Sequence, residues 1–105
     1  MLVFKYIPKG YDAMAFFPFI LLKNKGLKQD RILINHESIH LKQQIELLWI
    51  LFFLWYGIEF LIRLFQYKNT YQAYRNISFE REAYQHENDL HYLKKRKVFA
   101  FWRCL

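Results

Sequence analysis

His36-Glu37-Ser38-Ile39-His40 reads HExxH. On a helix, a spacing of four sets both imidazoles one turn apart on a single face, where they can share one divalent ion. Glu37 then stands beside them to accept a proton from metal-activated water. With a metal bound, the chemistry to expect is hydrolysis of a peptide bond; the five residues also occur by chance, with the histidines simply in a core or on a surface. A catalytic zinc site also needs a third protein ligand and an open fourth position. No His follows closely enough to act as in the extended metzincin motif, whose third His lies about six residues on. Further downstream, Asn76-Ile77-Ser78-Phe79-Glu80-Arg81-Glu82-Ala83-Tyr84 offers two carboxylates at the start of a predicted helix. Either Glu80 or Glu82 closes a His, His, Glu set of the thermolysin type. Acidic residues in a first helical turn are also favoured by the helix dipole without any metal, so the spacing alone leaves both readings open.

HESIHLKQQ followed by NISFEREAY resembles a family of small, uncharacterised zinc peptidases with an HExxHxxQ motif and a later N-P-F-E-x-E-A-Y-type motif. More distantly the chain is similar to gluzincins, including membrane-bound peptidases whose third ligand is the Glu of an E-x-x-A-D motif. The resemblance spans residues 13–87 and includes an edge strand ahead of the zinc helix. It implies one Zn²⁺, with His36, His40 and Glu80 as ligands and Glu37 as general base. The chain departs from those motifs in two places: Tyr84 stands where the distant relatives carry Asp, and Ile77-Ser78 occupies the Asn-Pro region.

Other polar residues fall within reach of the motif. Gln43 and Gln44 lie about one turn beyond His40, where one of them can orient a ligand or simply line a solvated face. Glu80, Tyr84, Glu87 and His91 follow one another at helical spacing on one face. Tyr84 is a candidate oxyanion donor or a packed aromatic, and Glu82 is the alternative third ligand. His86 and His91 read as surface or capping residues, and Cys104 as an inert thiol.

The elements that must position these residues show in the hydropathy pattern. Leu2–Ile7 and Ala13–Leu22 read as two strands joined through Pro8-Lys9-Gly10, with Pro18 marking the second as an edge strand. Residues 23–28 form a polar loop. Asp30 is an N-cap candidate for a helix that meets no Gly or Pro before Gly57. Were this helix to run straight from His36 to Phe65, its end would lie roughly 44 Å from the metal at 1.5 Å per residue. The connection to Glu80 would then have to stretch almost fully, at about 3.3 Å per residue. The expectation is therefore a helical hairpin that turns near Tyr56-Gly57, with residues 59–66 folding back and Glu59 pairing with Arg63 one turn on. Asn69 or Thr70 caps the next segment, and a last helix runs from Ser78 to Lys97. The fold class expected is α+β: an N-terminal β hairpin or small sheet, then a helical bundle with the HExxH helix and a hydrophobic helical hairpin, in one domain over residues 1–105.

Composition bounds the function classes. At 105 residues and 13.1 kDa there is room for one modest core. The 11 Phe, 8 Tyr and 3 Trp exceed what such a core hides, and they exclude a disordered chain. Sixteen Lys and Arg against 9 Asp and Glu give +7, which favours anionic surfaces. A single Cys excludes internal disulfides and Cys-based zinc clusters. Residues 47–65 and the basic aromatic tail KKRKVFAFWRCL suit a membrane surface, by contact or partial insertion; the tail's aromatics suit packing back on the hairpin equally well. The reading is a membrane-associated zinc metallopeptidase acting on a peptide or protein, with self-association through the apolar surface as a further partner. The alternatives are a non-catalytic membrane or structural module that keeps the metal, a cytoplasmic location, and a basic aromatic nucleic-acid binder. The last has no recognised motif behind it.

Overall fold

The computed structural model describes residues 2–3 and 11–105. It has the expected α+β architecture: a three-stranded sheet at the N-terminal end, then five helices. The strands are β1 (Leu2–Val3), β2 (Ala13–Phe16) and β3 (Phe19–Leu22), in the order β1-β3-β2. β2 and β3 form an antiparallel hairpin in which Phe16 faces Phe19 across the two-residue turn Phe17-Pro18, while Leu2 pairs parallel with Leu21. The hairpin thus lies inside the segment expected to be one strand. Pro18 belongs to its turn, where its missing N–H costs no ladder bond. The remainder of the expected Leu2–Ile7 strand and the Pro8-Lys9-Gly10 turn lie outside the described residues. Ala13, Ile20 and Leu22 point into the molecule and pack with Leu33 and Leu41.

The helices are α1 (Arg31–Glu46), α2 (Ile50–Tyr67), α3 (Thr70–Arg75), α4 (Ser78–His86) and α5 (Tyr92–Lys95). Short 3-10 turns cover Lys25–Gln29 and Ala100–Cys104. Asp30 caps α1 as expected, its carboxylate accepting from the Leu33 N–H at 3.0 Å. Asn69 caps α3 through the Gln72 N–H. The reversal of the chain falls at residues 47–49, not at Tyr56-Gly57: α1 stops at Glu46 and α2 begins at Ile50, with Gly57 inside it. Leu48 and Trp49 both take positive φ (53° and 64°) to make this corner. Such backbone is uncommon for residues with a Cβ, which is why no Gly or Pro announces it. The corner lets Leu47 and Phe52 enter the main core with Ile77, Phe79 and Phe101.

The expected final helix is two: α4 ends at His86, α5 begins at Tyr92, and Arg96 lies beyond it in extended backbone. Ser78 is the first residue of α4 and Ile77 its cap. The Ser78 N–H and hydroxyl both donate, at 2.6 Å, to the buried carboxylate of Glu59 on α2. A carboxylate from another helix therefore satisfies the start of α4, where the helix dipole favours negative charge. Arg63 does pair with Glu59, at 3.3 Å.

Candidate metal centre

α1 turns an unusually polar face inward: Asn35, His36, Glu37, His40, Gln43 and Gln44 are all buried. Across from it, α4 presents Glu80. His36 Nε2, His40 Nε2 and Glu80 Oε1 form a near-equilateral triangle with sides of 3.2, 3.2 and 3.0 Å. Three ligands of a tetrahedral ion held at 2.0–2.1 Å would stand about 3.3 Å apart, so the triangle needs to open by only a few tenths of an ångström to accept one. The group can hold a metal ion.

The hydrogen bonds behind the triangle make that acceptance chemical as well as spatial. The Gln43 amide N–H₂ donates to the Phe79 carbonyl (3.1 Å) and to Glu82 (2.9 Å), which turns the amide oxygen toward His40 Nδ1 at 2.8 Å. An amide oxygen only accepts, so His40 carries its proton on Nδ1 and a neutral ring leaves the Nε2 lone pair facing inward. His36 Nδ1 stands 3.0 Å from Glu87 Oε1 and is fixed in the same sense. Tyr56 donates to Glu80 Oε2 at 2.7 Å, holding Oε1 toward the imidazoles. Three lone pairs thus converge on one buried point, an arrangement that calls for a cation. Without a metal the cation is a proton. Burial opposes charge on His40, but Glu80 outweighs it and pushes the imidazole up to about 9. Glu80, despite burial, is held well below the usual carboxylate range by the two imidazoles.

Glu37 is 6% exposed and accepts no hydrogen bond from any described residue. Burial, the largest influence, raises its pKa against the pull of the two imidazoles. It lines a cleft of about 260 Å³ together with His40, Glu80, Phe52, Phe53 and Tyr56, and β2 forms one wall at Ala13, Met14 and Ala15. Among the described residues β2 lies at an edge of the sheet, while β3, from the other half of the segment expected to be one edge strand, is central. Gln44 sits on that edge, accepting from the Phe17 N–H at 2.6 Å and donating to the Ala15 carbonyl at 2.9 Å.

The residues singled out from the sequence divide cleanly. His36, Glu37, His40 and Glu80 come together, and Gln43 orients a ligand whereas Gln44 braces the strand. As third ligand Glu82 is a correction: its carboxylate is turned away from the triangle, bound by Tyr92, Gln43 and Arg96, and it instead supports Gln43 behind His40. It cannot serve as third ligand, because Arg96, which also pairs with Glu46 at 2.8 Å, already neutralises it. Tyr84 packs its ring edge-on against His36, with centroids 4.5 Å apart, and its hydroxyl meets that of Tyr74 at 2.7 Å. His86 stacks on Tyr92. Arg96, expected to face acidic lipid as part of the basic tail, is inside the fold, and Phe101 packs on Phe79 and Trp55. Sequence reasoning missed the roles of Tyr56, Glu59 and Asn35. The Asn35 amide donates to the carbonyls of His86, Glu87 and Asp89, tying α1 to the end of α4. For Glu87 the signal was present, since it shares a face with Glu80.

Comparison with protein-family models, with curated proteins and with solved structures finds no match.

Proposed function

We propose that this chain is a zinc-dependent metallopeptidase that works at a membrane surface. The observation that carries the reading is the buried convergence of His36 Nε2, His40 Nε2 and Glu80 Oε1 beside Glu37, which has no hydrogen-bond partner among the described residues, in a cleft walled by β2. Two His and one Glu with a fourth position left open is the ligand set of catalytic rather than structural zinc. The ion, when bound, supplies Lewis-acid activation of water and of the peptide carbonyl. The protein's own groups do the rest. Glu37 takes the proton of the attacking water on its carboxylate and later hands it to the departing amide nitrogen; the burial that raises its pKa brings it closer to working pH. Tyr56 and Gln43 keep Glu80 and His40 in place, and Glu87 does so for His36. β2 offers the outward backbone of Ala13 for an extended peptide to pair with, the Ala15 carbonyl and the Phe17 N–H being held by Gln44.

The membrane part of the proposal rests on α2. Its 18 residues are long and apolar enough to cross a bilayer. Yet its inner face packs along the domain, with Phe52 in the core and Glu59 bound to α4. Its polarity is inverted: charged Glu59 is 4% exposed while Phe65 is 85% exposed, and Ile50, Leu54, Ile58 and Leu61 line the same outward side. A helix in this orientation suits lying in the interface, with its outer face among acyl chains.

Metal analysis of the purified protein with its His36→Ala, His40→Ala, Glu80→Ala and Glu37→Gln variants tests the reading. Wild-type protein is expected to hold one zinc ion, the three ligand variants to lose it, and Glu37→Gln to keep zinc but lose peptide hydrolysis by at least about a hundredfold. Retention of stoichiometric zinc by all three ligand variants would refute the site. Hydrolysis undiminished in Glu37→Gln would refute the mechanism.

A further inference from the structure

The groove beside the triangle has two halves of opposite chemistry, which share Tyr11, Ala13, Glu37 and Tyr74 in their walls. On the His40 side the cavity is largely apolar, with Met14, Ala15, Phe52 and Phe53 facing it. On the His36 side a cavity of about 220 Å³ gathers Asp12, Asp30, Glu37 and Glu87, and no described Lys or Arg lines it. Those are four of the chain's 9 acidic residues, in a protein that carries 16 Lys and Arg. His36, whose Nδ1 faces Glu87 at 3.0 Å, is the base among the described residues of this wall, and a cation entering the cavity is attracted by the carboxylates gathered there. Glu87 is engaged by His36 and Asp30 caps α1. Glu37, 6% exposed, borders both halves and so marks where they meet.

The strand supplies a direction. The Lys23 N–H donates to the Asp12 carbonyl, so Asp12 and, two residues on, Met14 face β3 in the hydrogen-bonded register. By alternation the backbone groups of Ala13 point to the outer edge, as those of Ala15 do toward Gln44. β2 runs from the acidic half toward the apolar half. A peptide paired antiparallel to it runs the other way, laying its N-terminal part over Phe52 and Phe53 and its C-terminal part among the carboxylates.

We propose, building on the peptidase reading, that the groove selects extended peptides with a large apolar side chain before the scissile bond and Lys or Arg after it. The bond to be cut lies over Glu37, where the halves meet.

A peptide library varied at the two flanking positions, presented to the zinc-loaded protein, tests this. Bonds between Leu or Phe and a following Lys or Arg should be cut roughly tenfold faster than those followed by Glu, the size of effect expected from one or two screened ion pairs. The Asp12→Asn, Asp30→Asn double variant, in which Asn preserves the α1 cap, should lose most of that preference, read as the ratio of Lys to Glu rates within the variant. Equal rates for Lys and Glu, or a preference untouched by the double variant, would overturn the proposal. Should no peptide be cut, the peptidase reading falls and the groove is judged by binding. Fluorescence polarisation on zinc-loaded Glu37→Gln protein then compares a Leu-Lys with a Leu-Glu peptide. Tighter binding of the Lys peptide, abolished by the two Asn substitutions, sustains the selectivity, and equal binding ends it.

Discussion

At the scale of single residues, the two imidazoles are prepared for a cation by the groups behind them. In the metal-free protein His40 is pushed up to about 9, so at neutral pH an incoming ion must displace its proton. Calorimetric titration in buffers of different ionisation enthalpy should find about one proton released per zinc near pH 7.5, falling toward zero above pH 10. The same shift has a stability sign. It stabilises the metal-free fold fully below the unfolded value of 6.5, and the contribution is lost as pH rises through 9. Gln43 tests the positioning: Gln43→Leu removes the acceptor that fixes the His40 tautomer and should weaken zinc binding by about 10- to 100-fold, measured by chelator competition. HExxH was legible because its meaning is local: two residue types at one helical spacing. By spacing alone Glu80 and Glu82 were equally plausible carboxylates, the resemblance pointed to Glu80, and the fold sets Glu80 against the imidazoles and Glu82 against Arg96. Tyr56 looked like one aromatic among many, because its hydroxyl finds Glu80 only after α2 has folded back.

At the scale of elements, α4 is held at its first residue by a side chain from α2. Glu59 accepts from the Ser78 N–H, the Ser78 hydroxyl and Trp55 Nε1, besides pairing with Arg63. Glu59→Gln keeps the volume but loses the charge and one acceptor. It should cost about 2 kcal/mol of stability, seen as a lower urea midpoint, and should loosen zinc because Glu80 lies on the same helical turn. From sequence, Glu59 and Arg63 read correctly as an i, i+4 pair, but the pair's partner nineteen positions on could not be seen. The helical reversal was required by chain length, and a fold-back does occur. Its position was misplaced because glycine was taken as the corner, whereas burial of Leu47 and Phe52 outweighs the strain at Leu48 and Trp49.

At the scale of the whole molecule, the surplus of aromatic residues resolves into two populations. Phe52, Phe79 and Phe101 build the core, whereas Trp49, Phe65, Phe99 and Trp102 stay exposed, as expected of a chain too small to enclose them all. Sedimentation with vesicles containing acidic lipid should recover the protein. Leu61→Asp with Phe65→Asp, both on the exposed side of α2, should cut that recovery at least about tenfold without altering zinc content, by placing charge where acyl chains would lie. Unchanged recovery would rule out α2 as the contact. One further property follows from the way the triangle is assembled. Its corners are contributed by segments 40 residues apart in the chain, so an unfolded polypeptide offers an ion only the two neighbouring imidazoles. A metal ion bound there would favour the native state by mass action, by about 2.7 kcal/mol at a hundred times its dissociation constant. In a cell the supply of that metal would then govern how much of this protein survives proteolysis.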